Sequence, residues 1–169
     1  MPADDSIIAS HQLDILVDHS QIFLEDCEHT GSDIALNLLY SDEAFARHLG
    51  VAPGVLAIFT ARHYGTIRLE ILLMSAQPDD DFTGWDNVVE ASIVLPSGCL
   101  VAYGPESYPP PGPRIAVAPD TYRARVYAGG IEALEDEFLP EGPDHYCVAL
   151  WPAPYQPPAL LYARLAGPW

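Results

Sequence analysis

The chain has 169 residues and a formal net charge of −17, from 24 acidic side chains against 7 basic ones, all of them arginine. Phosphate neutralisation needs clustered cations, so binding of DNA or RNA through a basic patch is all but excluded, and attachment to anionic lipid is disfavoured on the same grounds. An apolar fraction of 49% with 10% aromatics belongs to a folded chain, and the length suits a single domain over residues 1–169.

Met1-Pro2-Ala3-Asp4-Asp5 lacks the basic region of a secretory signal. The nearest approach to an apolar span, residues 51–60, contains Pro53 and Gly54 and falls well short of the roughly 20 residues a bilayer requires. A soluble cytoplasmic protein is therefore expected. Residues 13–17 and 21–25 read as the first strands. A helix follows: Ser41 or Asp42 caps it, Glu43 suits its positively polarised first turn, Phe45 and Leu49 share a stripe, and Gly50 stops it. Short β-branched and aromatic runs at 55–61, 66–75, 88–95, 100–103, 115–118, 122–127, 145–151 and 160–165 complete the candidate strands.

Several of these runs alternate with period two. Arg68 and Glu70 fall on one face of theirs, while Tyr122, Ala124 and Val126 are expected to face a core with Arg123 and Arg125 in water. Pro96-Ser97-Gly98 and Ala128-Gly129-Gly130 supply turns, and 131–138 has weak helical character. Most of the 17 prolines lie late in the chain, as strand ends and edges. The run Tyr108-Pro109-Pro110-Pro111-Gly112-Pro113 reads as a stiff connection between strands more readily than as a polyproline ligand. The fold class expected is mostly β: an antiparallel β-sandwich or flattened barrel with one or two short helices.

Cys27, Cys99 and Cys147 are odd in number and widely spaced, which makes neither a disulfide framework nor a zinc pattern; thiols in a reducing compartment are expected. Among the histidines there is no HxH or HExxH, and the compact donor group Asp26-Cys27-Glu28-His29 has no recognised ligand spacing, so neither metal nor cofactor is expected. There is no GxSxG elbow and no glycine-rich phosphate loop. Asp18 with His19, or Asp144 with His145, would serve an unrecognised hydrolase, but nothing in the sequence compels an enzyme.

Charge distribution says more. Residues 1–46 carry ten acids, 69–113 seven and 126–163 six, and none of these blocks contains an arginine. Such blocks leave an unbalanced negative field, which favours a basic partner through electrostatic steering. The densest clusters are Asp79-Asp80-Asp81, followed by Trp85 and Asp86, and Glu135-Asp136-Glu137, followed by Phe138. Exposed aromatics beside carboxylates suit an arginine-rich partner; the plainer alternative makes the clusters solvated faces and the aromatics core. The triple aspartate lacks the alternating ligands of a calcium loop. The candidate partner-binding set is Asp79, Asp80, Asp81, Trp85, Asp86, Glu135, Asp136 and Glu137.

Four segments carry a wider likeness: Leu16-Val17-Asp18-His19-Ser20-Gln21-Ile22-Phe23-Leu24, Trp85-Asp86-Asn87-Val88-Val89-Glu90, Val117-Ala118-Pro119-Asp120-Thr121-Tyr122-Arg123 and His145-Tyr146-Cys147-Val148-Ala149-Leu150-Trp151-Pro152. In their order the chain resembles the ComJ-type inhibitors, small acidic β-rich proteins that silence a DNA-entry nuclease. It departs from them in length and in the proline-rich stretch at 109–113. The resemblance implies inhibition of a basic nuclease, or of a nuclease toxin by an immunity protein, with carboxylates occupying the groove where phosphates would lie. The alternative is a β-sandwich that binds a small molecule or carbohydrate, with Trp85, Trp151 and Tyr155 lining a pocket.

Overall fold

Period-two alternation is visible in β5 (Gly65–Met74), where Ile67, Leu69 and Ile71 are buried while Thr66 and Arg68 are exposed. The computed structural model describes residues 4–29, 35–106, 113–167 and 169. Besides β5, its strands are β1 (Ile7–Val17), β2 (Gln21–Asp26), β3 (Leu49–Ala52), β4 (Val55–Phe59), β6 (Asn87–Leu95), β7 (Cys99–Tyr103), β8 (Ile115–Ala116), β9 (Asp120–Gly129), β10 (His145–Pro152) and β11 (Ala159–Ala163). Two short helices, α1 (Leu36–Leu39) and α2 (Asp42–Arg47), precede β3.

The strands form a six-stranded sheet in the order β1-β5-β10-β9-β6-β11 and a five-stranded sheet in the order β3-β4-β2-β7-β8; neither closes into a barrel. Pairing is antiparallel except between β5 and β10, which run parallel with His145 beside Arg68. The main core lies between the sheets: Ile67, Leu69 and Ile71 of β5, Tyr122, Ala124 and Val126 of β9 and Tyr146, Val148 and Leu150 of β10 meet Ile22 and Leu24 of β2 and Leu56 and Ile58 of β4. A second apolar layer, including Leu72, Trp85, Tyr127, Cys147 and Trp151, covers the outer face of the larger sheet. A third, with Leu39, Val55 and Ala57, lies under the helices.

Several expectations are corrected. Arg123 and Arg125 are buried, not in water, because residues 76–86 and 153–158 fold across the outer face of their strand. There Arg125 Nε donates to Glu90 at 2.7 Å and Arg123 Nε to the same carboxylate at 3.1 Å. The helix begins as expected, with Ser41 Oγ accepting from Ala44 N at 3.1 Å, but His48 ends it in left-handed backbone and Leu49 and Gly50 start β3. Phe45 therefore stays half exposed while Leu49 enters the core. The second helix is α1 and not 131–138, which forms turns.

The cysteines also differ from expectation: Cys27 and Cys99, 72 residues apart, are disulfide-bonded, leaving Cys147 as a buried thiol. In the donor group around Cys27, Asp26 accepts from Ser97 N and Oγ at 3.1 and 2.8 Å, and His29 Nδ1 lies 2.7 Å from Glu25. The proline-rich run lies outside the described residues apart from Pro113. No helix among those described is long and apolar enough to cross a membrane.

Candidate partner-binding surface

The connection between β9 and β10 carries Glu132, Glu135, Asp136, Glu137 and Glu141, all exposed. Its base is pinched where Gly130, at φ 72°, backs against the Pro143 carbonyl; a side chain there would run into that oxygen. Ile131 turns into the core, and its N–H donates to Asp86 Oδ2 at 2.8 Å. At the far end Asp144 is buried and accepts from Arg62 Nε at 2.6 Å.

Arg62, only 1% exposed, ties the loop down. Its other guanidinium nitrogens donate to the carbonyls of Leu139 at 3.1 Å and Thr66 at 2.7 Å. Tyr146 sits against the same pair: its hydroxyl accepts from Ala61 N at 2.8 Å and donates to Asp144 at 3.3 Å, and burial with the Asp144 charge holds its pKa well above the usual phenol value. From the β4–β5 connection, His63 N donates to Glu137 O at 2.8 Å, and from the start of β5 Thr66 N donates to Pro140 O at 2.9 Å. The backbone of the loop is thus held from below while its carboxylates stay in water. Phe138, 57% exposed, stands among them with its ring 5.2 Å from that of His63.

The other cluster divides. Asp80's side chain is 4% exposed, accepting from Arg125 Nη1 at 3.1 Å and from the Tyr127 hydroxyl at 2.7 Å. Burial, and the Asp80 carboxylate it faces, push the Tyr127 pKa up. Asp79 and Asp81 remain exposed. Asp81 accepts from Thr83 N at 3.0 Å, which holds its carboxyl below its ordinary value. Trp85, a candidate exposed aromatic in one reading and a core residue in the plainer one, is buried against Tyr127 and His145. Asp86 is buried and paired with Arg164, which also reaches Glu132 at 2.9 Å. Of the eight candidate residues, Asp79, Asp81, Glu135, Asp136 and Glu137 present carboxylates to solvent, while Asp80, Trp85 and Asp86 are enclosed. Sequence spacing could not have found Arg62 or Phe138's neighbour His63, because both reach the loop from another connection.

The buried arginines Arg62, Arg123 and Arg125 are paired with Asp144, Glu90 and Asp80, while Glu25, Asp26 and Asp86 are buried as well, so part of the acid excess lies inside and the rest at the surface. Asp144 turns inward to Arg62 while its neighbour His145 is exposed beside Trp85, so the two do not act as a dyad. The aromatics of the alternative reading do not converge either: Trp85 and Trp151 lie in the layer over the larger sheet, and exposed Tyr155 borders a cavity of about 560 Å³ with Leu38, Arg47 and Val94.

No family model matches the chain, and no curated protein matches it in sequence. Solved structures do. One described as crocagin biosynthetic gene J is similar at a TM-score of 0.58 and 20% identity, over 86% of this chain and 99% of that one. ComJ from Bacillus subtilis, an inhibitor of the DNA-degrading activity of NucA, is similar at a TM-score of 0.63 and 12% identity, over 88% of this chain and 100% of ComJ. The chain thus shares its fold with ComJ, as its sequence pattern implies, along nearly the whole of both molecules.

Proposed function

We propose that the chain is an acidic inhibitor of a basic protein, a nuclease or nuclease toxin, acting by occupancy and not by turnover. The observation that carries this reading is the loop between β9 and β10. Glu135, Asp136 and Glu137 are exposed beside Phe138 on a backbone held by Arg62, His63 and Thr66. Arginine and lysine side chains lining a nucleic-acid groove would meet these carboxylates in place of phosphates, through charge-assisted hydrogen bonds. Phe138 offers a ring face to a guanidinium. Because the loop is already fixed, less ordering entropy is lost on association. Asp79 and Asp81 extend the negative field that steers the partner in. The fold shared with ComJ supports the same reading.

The test is inhibition of a basic nuclease encoded beside this gene. DNA cleavage is expected to stop near one equivalent of the chain, with a complex that elutes as one species at low salt. Full cleavage in the presence of excess chain, with no complex, would contradict the reading.

A further inference from the structure

The turn joining β1 to β2 adopts an unusual backbone for its sequence. Asp18 and Gln21 bridge across it, and the two central residues, His19 and Ser20, both hold left-handed backbone, with φ of 54° and 58°. Asn-Gly is the favoured pair in such a turn, since side chains crowd the backbone there. His19 and Ser20 instead place an imidazole and a hydroxyl beside a second imidazole. The His19 and His63 rings meet edge to face, 5.4 Å apart, and His19 Nδ1 lies 3.2 Å from Asp18 Oδ1.

His63 is brought there by the backbone of a separate connection. Ser20 N donates to His63 O at 3.1 Å, Thr60 N donates to Ser20 O at 2.8 Å, and His63 N donates to Glu137 O at 2.8 Å. Asp18, His19 and His63 each offer a ligand atom within 4.8 Å of the others.

We propose that Asp18, His19 and His63 form a binding site for a divalent transition metal of the zinc class, with one position open. Two imidazoles and a carboxylate make a donor set that suits zinc, whereas magnesium and calcium take oxygen ligands. Zinc bonds of about 2.0–2.2 Å in tetrahedral geometry put ligand atoms about 3.3 Å apart. Closing the cluster to that spacing takes side-chain rotation, which solvent-exposed His19 permits; Asp18 is half-buried, and its Oδ1 accepts from His19 N at 2.8 Å. Ser20 Oγ lies 3.4 Å from His63 Nδ1, the place an outer partner of a metal-bound imidazole takes. The site shares His63 with the contacts that hold the acidic loop, through His63 N to Glu137 O and the ring to Phe138, but zinc binding is tested without any partner.

The experiment is calorimetric titration of the full chain with zinc chloride in a large excess of magnesium, which occupies the scattered surface carboxylates. The wild-type chain is expected to bind one zinc saturably. His19→Ala and His63→Ala are each expected to weaken binding by about tenfold or more, while His11→Ala leaves it unchanged. His19 is exposed, so its replacement does not endanger the fold. Cobalt titration supplies a second readout: the wild type is expected to give the visible absorption of nitrogen-ligated tetrahedral cobalt, lost in both variants. Absence of saturable one-to-one zinc binding, equal binding by the variants, or a cobalt spectrum of purely oxygen ligation would overturn the proposal.

Discussion

Arg62 and Asp144, 82 residues apart in sequence, form a buried ion pair with 2.6 Å between Nε and Oδ1. The same arginine holds Leu139 O and Thr66 O, so the pair anchors the acidic loop to β5 as well as balancing charge. Removing one partner strands the other charge in a dry site, at a cost of about 3–5 kcal/mol. Arg62→Leu and Asp144→Leu are each expected to lose about that much in denaturant unfolding, and the double variant less than the two losses together. Strictly additive losses would show that the residues do not interact.

Asp80 and Asp81 are neighbours with opposite environments. Asp80 is enclosed by Arg125, Tyr127 and Glu90's network, whereas Asp81 faces solvent. Asp80→Ala is expected to destabilise the fold by about 3–5 kcal/mol, as for any broken buried pair. Asp81→Asn is expected to leave the unfolding midpoint in place. Equal effects would contradict the division of this cluster into an interior and a surface part.

Thiol counting tests the cross-link. Cys27 and Cys99 are bonded, and burial, with Glu70 nearby, pushes the Cys147 thiol up to about 12. The thiolate is the reactive form. The native chain is expected to show no reacting thiol, then Cys147 alone in denaturant, and all three cysteines only after reduction. Three reacting thiols in denaturant without reductant would contradict the disulfide.

His48 stacks on Trp169 with ring centroids 3.4 Å apart, and burial, partly opposed by the Gly167 backbone, lowers its pKa from 6.5 to about 4. Between these values the unfolded chain binds more protons than the folded one, so stability is expected to fall as pH drops from 6.5 towards 4. His48→Asn keeps a residue suited to left-handed backbone (φ 59° here) and is expected to flatten that part of the stability–pH curve. A ring titrating near 6.5 by NMR would contradict this environment.

Much of the fold is legible from local pattern. The alternation that places Tyr122, Ala124 and Val126 in the core is the one found, and strands occur at each of the runs read from β-branched and aromatic residues. The opposite face of the same strand was not legible. Arg123 and Arg125 look solvent-facing until residues 76–86 and 153–158 fold over them, and that covering is a tertiary event with no local signature. Trp85 and Phe138 each follow an acidic cluster, yet one is enclosed beside Tyr127 and the other stands in water. The Cys27–Cys99 bond likewise depends on β2 lying beside β7, which sequence spacing does not disclose. At the surface loop, the acidic cluster was visible and the buried arginine that steadies it was not.

The most direct measurement is the association rate with the proposed partner, a basic nuclease, as a function of salt, for the wild-type chain and for the Glu135→Lys/Asp136→Lys/Glu137→Lys variant. Wild-type association is expected to slow by about tenfold or more between low and physiological salt. The variant is expected to associate far more slowly at low salt, approach the wild type at high salt, and unfold at an unchanged midpoint. A rate that ignores both salt and the charge reversal would contradict partner capture by the acidic loop.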